Sequence, residues 1–144
     1  MVSIKHLFHI NASKDKVYNT VSTIEGLSNW WTTDTKGESR VGGIITFTFA
    51  AFGSHDWKVT EQKPNELVSW ECINGPADWV GTTITFKLDE SDGKTRVRFS
   101  QDAWKEANDF YAGCNFSWGR YMESLRQLCQ TGKGEAYGSP GYRK

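Results

Sequence analysis

The sequence predicts an α+β domain, a single antiparallel sheet covered by one long C-terminal helix. Two observations carry this. From about residue 44 to residue 101 apolar residues alternate with polar ones, as in strands with one dry face and one wet face. After residue 110 the apolar period switches to three and four, the period of a helix buried along one stripe. A sheet with one dry face needs a cover, and no other segment is long enough to provide it.

The elements follow in order. Residues 3–10 read as a strand, with Ile4, His6, Phe8 and Ile10 on one parity. Ser13 is placed to cap a helix carrying Val17, Val21 and Ile24, and Gly26 is expected to end it. Leu27 to Trp31 fits a short second helix. Ile45, Phe47 and Phe49 form the next dry face, followed by Trp57 and Val59, then Val68, Trp70 and Cys72. Asn74-Gly75-Pro76 breaks the chain. Ile84, Phe86 and Leu88 face Val97, Phe99 and Gln101 across the Asp92-Gly93 hairpin signal. The long helix is expected over roughly residues 105–131, about 40 Å at 1.5 Å per residue. Gly132 suits its stop. The domain is expected to span 1–132, with a flexible tail over 133–144.

Composition narrows the function. Lysine plus arginine and aspartate plus glutamate number 17 each among 144 residues, so no broad basic face for nucleic acid is indicated. No stretch approaches the ~20 apolar residues of a membrane span, so membrane insertion is not expected. The first residues lack the apolar core of a signal peptide. Cys72, Cys114 and Cys129 form neither a CxxC pair nor a zinc pattern, which fits reduced thiols in a cytoplasmic protein. His6, His9 and His55 lack metal-ligand spacing, and no glycine-rich phosphate motif is present. No metal and no cofactor are expected.

The candidate site is aromatic. The chain holds 7 tryptophans, 8 phenylalanines and 5 tyrosines. Phe47, Phe49, Trp57, Trp70, Phe86 and Phe99 share the dry face of the sheet. Phe110, Cys114, Trp118 and Tyr121 face them from the helix, with Ser117 beside the stripe. Burying each such ring contributes roughly 1.5–3 kcal/mol, so a chain this rich in them tolerates an unfilled interior. His6, Gln101, Ser117 and Tyr121 are the polar groups available to orient a ligand. The adjacent Trp30 and Trp31 point different ways on any regular element. One is expected to seal the core and Trp31 to border the entrance of a cavity.

The order and spacing of several motifs are similar to a known family. Asn11-Ala12-Ser13, Val17-Tyr18, Gly26-Leu27, Trp30-Trp31 and Gly42-Gly43 open the pattern. Trp57-Lys58-Val59-Thr60-Glu61, Trp79-x-Gly81-Thr82 and Trp118-x-x-Tyr121-Met122-x-x-Leu125 continue it. Together they resemble the START-like (SRPBCC) superfamily, in the branch named for the activator of the heat-shock protein 90 ATPase. The resemblance implies a helix-grip fold, a curved antiparallel sheet wrapped on the C-terminal helix, with a cavity between them for hydrophobic small molecules. One departure stands out: many relatives carry a histidine near Gln101, where this chain has Ser100-Gln101-Asp102.

Three functions follow as expectations. The first is non-catalytic binding of an aromatic or lipid-like molecule. The second is a polyketide cyclase or dehydratase in which His6 or Tyr121 moves protons. The third is a co-chaperone-like interaction module, which requires an exposed Trp30 or Trp31 and has no charge pattern or docking helix to support a protein partner.

Overall fold

The computed structural model describes residues 1–143. Strand β1 (Val2–Ile10) leads into helices α1 (Lys14–Ser22) and α2 (Ile24–Trp30). Six strands follow: β2 (Asp34–Gly37), β3 (Ile44–Phe49), β4 (Gly53–Lys63), β5 (Leu67–Asn74), β6 (Thr83–Ser91) and β7 (Lys94–Trp104). Helix α3 (Asp109–Thr131) closes the domain. All seven strands form one sheet in the order β1-β7-β6-β5-β4-β3-β2, and every neighbouring pair is antiparallel. The α+β fold with a C-terminal helix on the sheet and two short helices after β1 is as the sequence predicts.

The elements differ from expectation where a local residue decides. Ser13 caps α1 by accepting from the Lys16 amide. Gly26 does not end that helix. Thr23 does, and its hydroxyl then caps α2 by accepting from the Gly26 amide. Gly26 is needed for a different reason: a Cβ there would lie 2.3 Å from the Thr20 carbonyl oxygen, so its bare backbone lets the two helices touch. Helix α3 starts at 109 rather than 105, where the Asn108 side chain accepts from the Tyr111 amide. It ends at Gly132, whose φ of 83° supplies the left-handed cap. Strand β2 has no sequence signal; only Thr35 is buried, and pairing with β3 defines it. Asp92 and Gly93 both take positive φ, 53° and 77°, which is the backbone a two-residue hairpin demands.

The dry face of the sheet and the inner faces of α1, α2 and α3 make one core. Val17, Val21, Leu27 and Trp30 cover it from the short helices, and Trp118, Met122, Leu125 and Cys129 from α3. Residues 133–143, expected to be a flexible tail, run back along the domain. The Glu135 amide donates to Ser124 Oγ (2.7 Å), and that hydroxyl donates to the Trp30 carbonyl (2.8 Å). The Tyr137 amide donates to the Trp31 carbonyl, the Thr33 amide donates to the Tyr137 carbonyl, and Ala136 is fully buried. No helix among the described residues is long and apolar enough to cross a membrane.

Candidate ligand cleft

A cleft of about 370 Å³ opens between the first half of α3, the β3–β4 end of the sheet and the β5–β6 connection. Its helix wall is Phe110, Cys114, Ser117, Trp118 and Tyr121, one face at spacings of three and four. Its sheet wall is Phe49 and His55, with Phe52 from the β3–β4 turn and Trp31 from the end of α2. Pro76 and Trp79 come from the β5–β6 connection, and Tyr142 from the tail.

Trp31 is the floor. It is 2% exposed and packs against Phe47 (4.4 Å between ring centroids), Trp118 (4.9 Å) and His55 (5.4 Å). Trp30 is fully buried, donates its indole N–H to the Thr20 carbonyl and lies 6.1 Å from Trp31 with the rings nearly parallel. Both indoles therefore point inward, contrary to the expectation that only one does. Trp31 caps α2 in helical conformation, its amide donating to the Leu27 carbonyl, and adjacent helical positions lie only about 100° apart, so both rings can face a core that surrounds the helix end. The pair forms no exposed apolar patch.

Trp118 is held from behind. Its indole N–H donates to Gln101 Oε1 at 2.8 Å. Gln101 Nε2 donates to Thr82 Oγ1 at 3.1 Å, and Thr82 donates to the Trp79 carbonyl at 2.7 Å. The chain of bonds ties both tryptophan walls to β7. Gln101 is fully buried with its amide engaged at both ends, so it positions the wall and does not face the cleft.

His55 is the one histidine on the wall. Trp57 donates its indole N–H to His55 Nδ1 at 2.8 Å. Burial pulls the His55 pKa down to about 4, with Asp56 working weakly against it. Burial pushes the Cys114 thiol up to about 11, with the adjacent Trp79 indole drawing it back slightly. The Trp79 N–H nevertheless makes no well-formed hydrogen bond among the described residues. Burial also raises the Tyr121 phenol far above its ordinary value, and the neighbouring Tyr142 adds to the effect. His55, Cys114 and Tyr121 are thus all neutral near neutral pH. No group of three or more potential metal ligands occurs among the described residues.

Of the residues read from the sequence as a site, Trp31, Phe49, Phe110, Cys114, Ser117, Trp118 and Tyr121 meet at the cleft. Phe47, Trp57, Trp70, Phe86 and Phe99 are buried behind it, each no more than 1% exposed. His6 lies elsewhere. It lies tilted against Phe99 (6.0 Å between ring centroids), but β1 is an edge strand and the ring emerges on the other side of α3, where Nε2 meets Asn115 Oδ1 at 2.9 Å. A shallow groove there is lined by His6, Phe116, Gly119 and Arg120. His55, Trp79, Phe52, Pro76 and Tyr142 were not singled out. His55 shares its parity with Trp57, a signal that could have found it; the other four lie in turns or the tail, where no period applies.

A family model for activator of Hsp90 ATPase homolog 1-like proteins matches residues 11–130. The chain belongs to this family. Its fold matches the solution structure of the Aha1 dimer from Colwellia psychrerythraea at 40% identity and TM-score 0.85, covering 93% of this chain and all of that one. A protein from Mesorhizobium loti matches at 19% identity and TM-score 0.77, over 88% of this chain and 96% of that one. A Bacillus halodurans protein matches at 23% and 0.75, over 90% and 98%. These last two share the fold. No curated protein matches the chain.

Proposed function

We propose that the protein binds an apolar, aromatic or lipid-like small molecule in the cleft without transforming it. One observation carries the reading. An opening of about 370 Å³ is walled by aromatic rings, and no charged side chain lines it. That volume lies within the roughly 300–1,000 Å³ of small-molecule sites, which are mostly apolar with a few polar groups. Catalysis has no support in the same geometry. The Tyr121 phenol is held protonated by burial, the Cys114 thiol is far from its thiolate form, and His55 is held neutral with one nitrogen already occupied. His6 does not reach the cleft. The three cysteines are free, which suits a reducing, cytoplasmic setting.

The neutral fluorescent probe N-phenylnaphthylamine tests the reading. Saturable, one-to-one enhancement is expected, and Cys114→Trp, which fills the cleft from α3, is expected to abolish it. Absence of saturable binding, or binding untouched by Cys114→Trp in a folded variant, would falsify the assignment.

A further inference from the structure

We propose that His55 is a fixed hydrogen-bond donor in the cleft, which makes the preferred ligand a neutral aromatic molecule bearing an oxygen acceptor such as a ketone. This rests on the binding function proposed above and adds the polar half of its specificity.

The geometry sets the tautomer. An indole N–H can only donate. The Trp57 N–H points at His55 Nδ1 at 2.8 Å, so Nδ1 must offer a lone pair. In a neutral ring the proton then sits on Nε2. Protonating Nδ1 would set two N–H groups against each other, so the same contact resists the imidazolium. Burial acts in the same direction and holds the ring neutral down to about pH 4.

Nε2 has no protein partner among the described residues, yet it is not among the buried atoms sealed without one. The ring stands on the cleft wall, wedged edge-on against Trp79 at 4.8 Å and stacked with Phe49 at 5.4 Å. It therefore presents one N–H into a mostly aromatic opening, where the Ser117, Tyr121 and Tyr142 hydroxyls, unlike the His55 N–H, can also turn to accept. A ligand covering it without an acceptor would leave that N–H unpaired, at a penalty comparable to a lost hydrogen bond. An anionic ligand would find no cation on the wall, and an unpaired buried charge is expensive. A cationic ligand would meet a donor and no carboxylate. A neutral carbonyl or ether oxygen on a planar ring system satisfies all three conditions. Asp56, the one charged neighbour that acts on His55, pairs instead with Thr46 and Asn74 across the strands.

Fluorene and fluorenone differ only by the carbonyl and make a direct test by displacement of N-phenylnaphthylamine. Fluorenone is expected to bind roughly threefold to tenfold tighter to the native protein, the value of one neutral hydrogen bond. In His55→Phe, which keeps a ring of similar size, both are expected to bind and the preference to vanish. Equal affinities in the native protein would overturn the donor and leave the binding function standing. Failure of both to bind would remove the binding function and the donor with it. A measurement that needs no variant runs alongside. Imidazole nitrogen shifts by NMR near neutral pH are expected to show Nε2 protonated, and to move with fluorenone but not with fluorene. An Nδ1–H ring or an imidazolium would overturn the proposal.

Discussion

Replacing Gln101 with leucine separates the polar frame of the cleft from its apolar wall. Leucine has nearly the same reach but neither accepts nor donates. The substitution removes the acceptor for the Trp118 N–H and the donor to Thr82. Trp118 is 2% exposed and Thr82 1%, so water does not replace either bond. Thr82 keeps its own donation to the Trp79 carbonyl and loses little. The stranded indole N–H dominates, and an unsatisfied buried donor costs about 1–3 kcal/mol. Part is offset by burying leucine in place of an amide, which leaves a net loss of about 1–2 kcal/mol. With an m-value near ~2 kcal/mol per molar urea, the midpoint falls by roughly 0.5–1 M at unchanged m. The control is the same change made in Trp118→Phe. Phenylalanine has no N–H, and there the Gln101 carbonyl is the stranded group, which leucine removes. Gln101→Leu is expected to be nearly neutral in that background, a coupling of about 1 kcal/mol or more. Equal losses in the two backgrounds would show that the Trp118–Gln101 bond does not hold the wall.

Three further outcomes follow from the same structure. Ser124→Ala removes the hydroxyl shared by the Trp30 carbonyl and the Glu135 amide, so stability is expected to drop by about 1–3 kcal/mol and the Glu135 and Tyr137 amides to exchange faster with deuterium; unchanged exchange would separate the tail from this contact. His55 has its folded pKa lowered to about 4 against an unfolded value near ~6.5, so its contribution is full above ~6.5 and is lost as pH falls through about 4. His55→Phe is expected to flatten the urea midpoint across that window, and an unaltered slope would contradict the assignment. Asp89 has its pKa lowered to about 2 by the Arg96 hydrogen bonds first and Arg98 second, so its contribution is present above ~3.9 and lost as pH falls through about 2. Asp89→Asn is expected to remove slope only in this lower window; a change in the His55 window would mean the two sites are not independent.

How much of this was legible in the sequence depends on whether a residue belongs to a period. The dry parity of β3 to β7, the stripe of α3 and the Asp92-Gly93 turn all follow from spacing, because a residue's face is fixed by its element. The same logic placed His6 on the inner parity correctly, and it does touch Phe99. Parity does not say that β1 is an edge strand or that Asn115 on α3 takes the ring's Nε2. Gln101 was read as a group facing a ligand because it lies among aromatics. Its bonds to Trp118 and Thr82 are long-range, and no local pattern announces them. Trp79 and Tyr142 reach the cleft from a turn and from the tail, so their positions depend on the tertiary path alone.

The cleft itself has a cause in α3. From Asp109 to Ser117 no residue of the helix is fully buried, whereas Trp118, Met122, Ser124, Leu125 and Cys129 all are. Helix α3 thus seals the core along its second half, while its first half meets the sheet at the β1–β7 side, through Tyr111 on Ser3 and Trp104 and Asn115 on His6, and stands off its β3–β4 end. The change comes at Trp118, whose indole lies on Phe99 at 4.6 Å and against Trp31 at 4.9 Å, and is tied down by Gln101. Beyond that layer, the rings of Trp31, Phe49 and His55 continue the inner surface, and α3 meets Trp31 and Phe49 only at their edge, through Trp118 and Tyr121. The adjacent tryptophans mark the same boundary from α2: Trp30 belongs to the sealed half, beneath Ser124, and Trp31 to the open half, facing Trp118. A larger side chain at the α3 layer after Trp118 strains the core, while one at Cys114 or Ser117 fills empty space. The fold tolerates the opening because the sealed half supplies its stability.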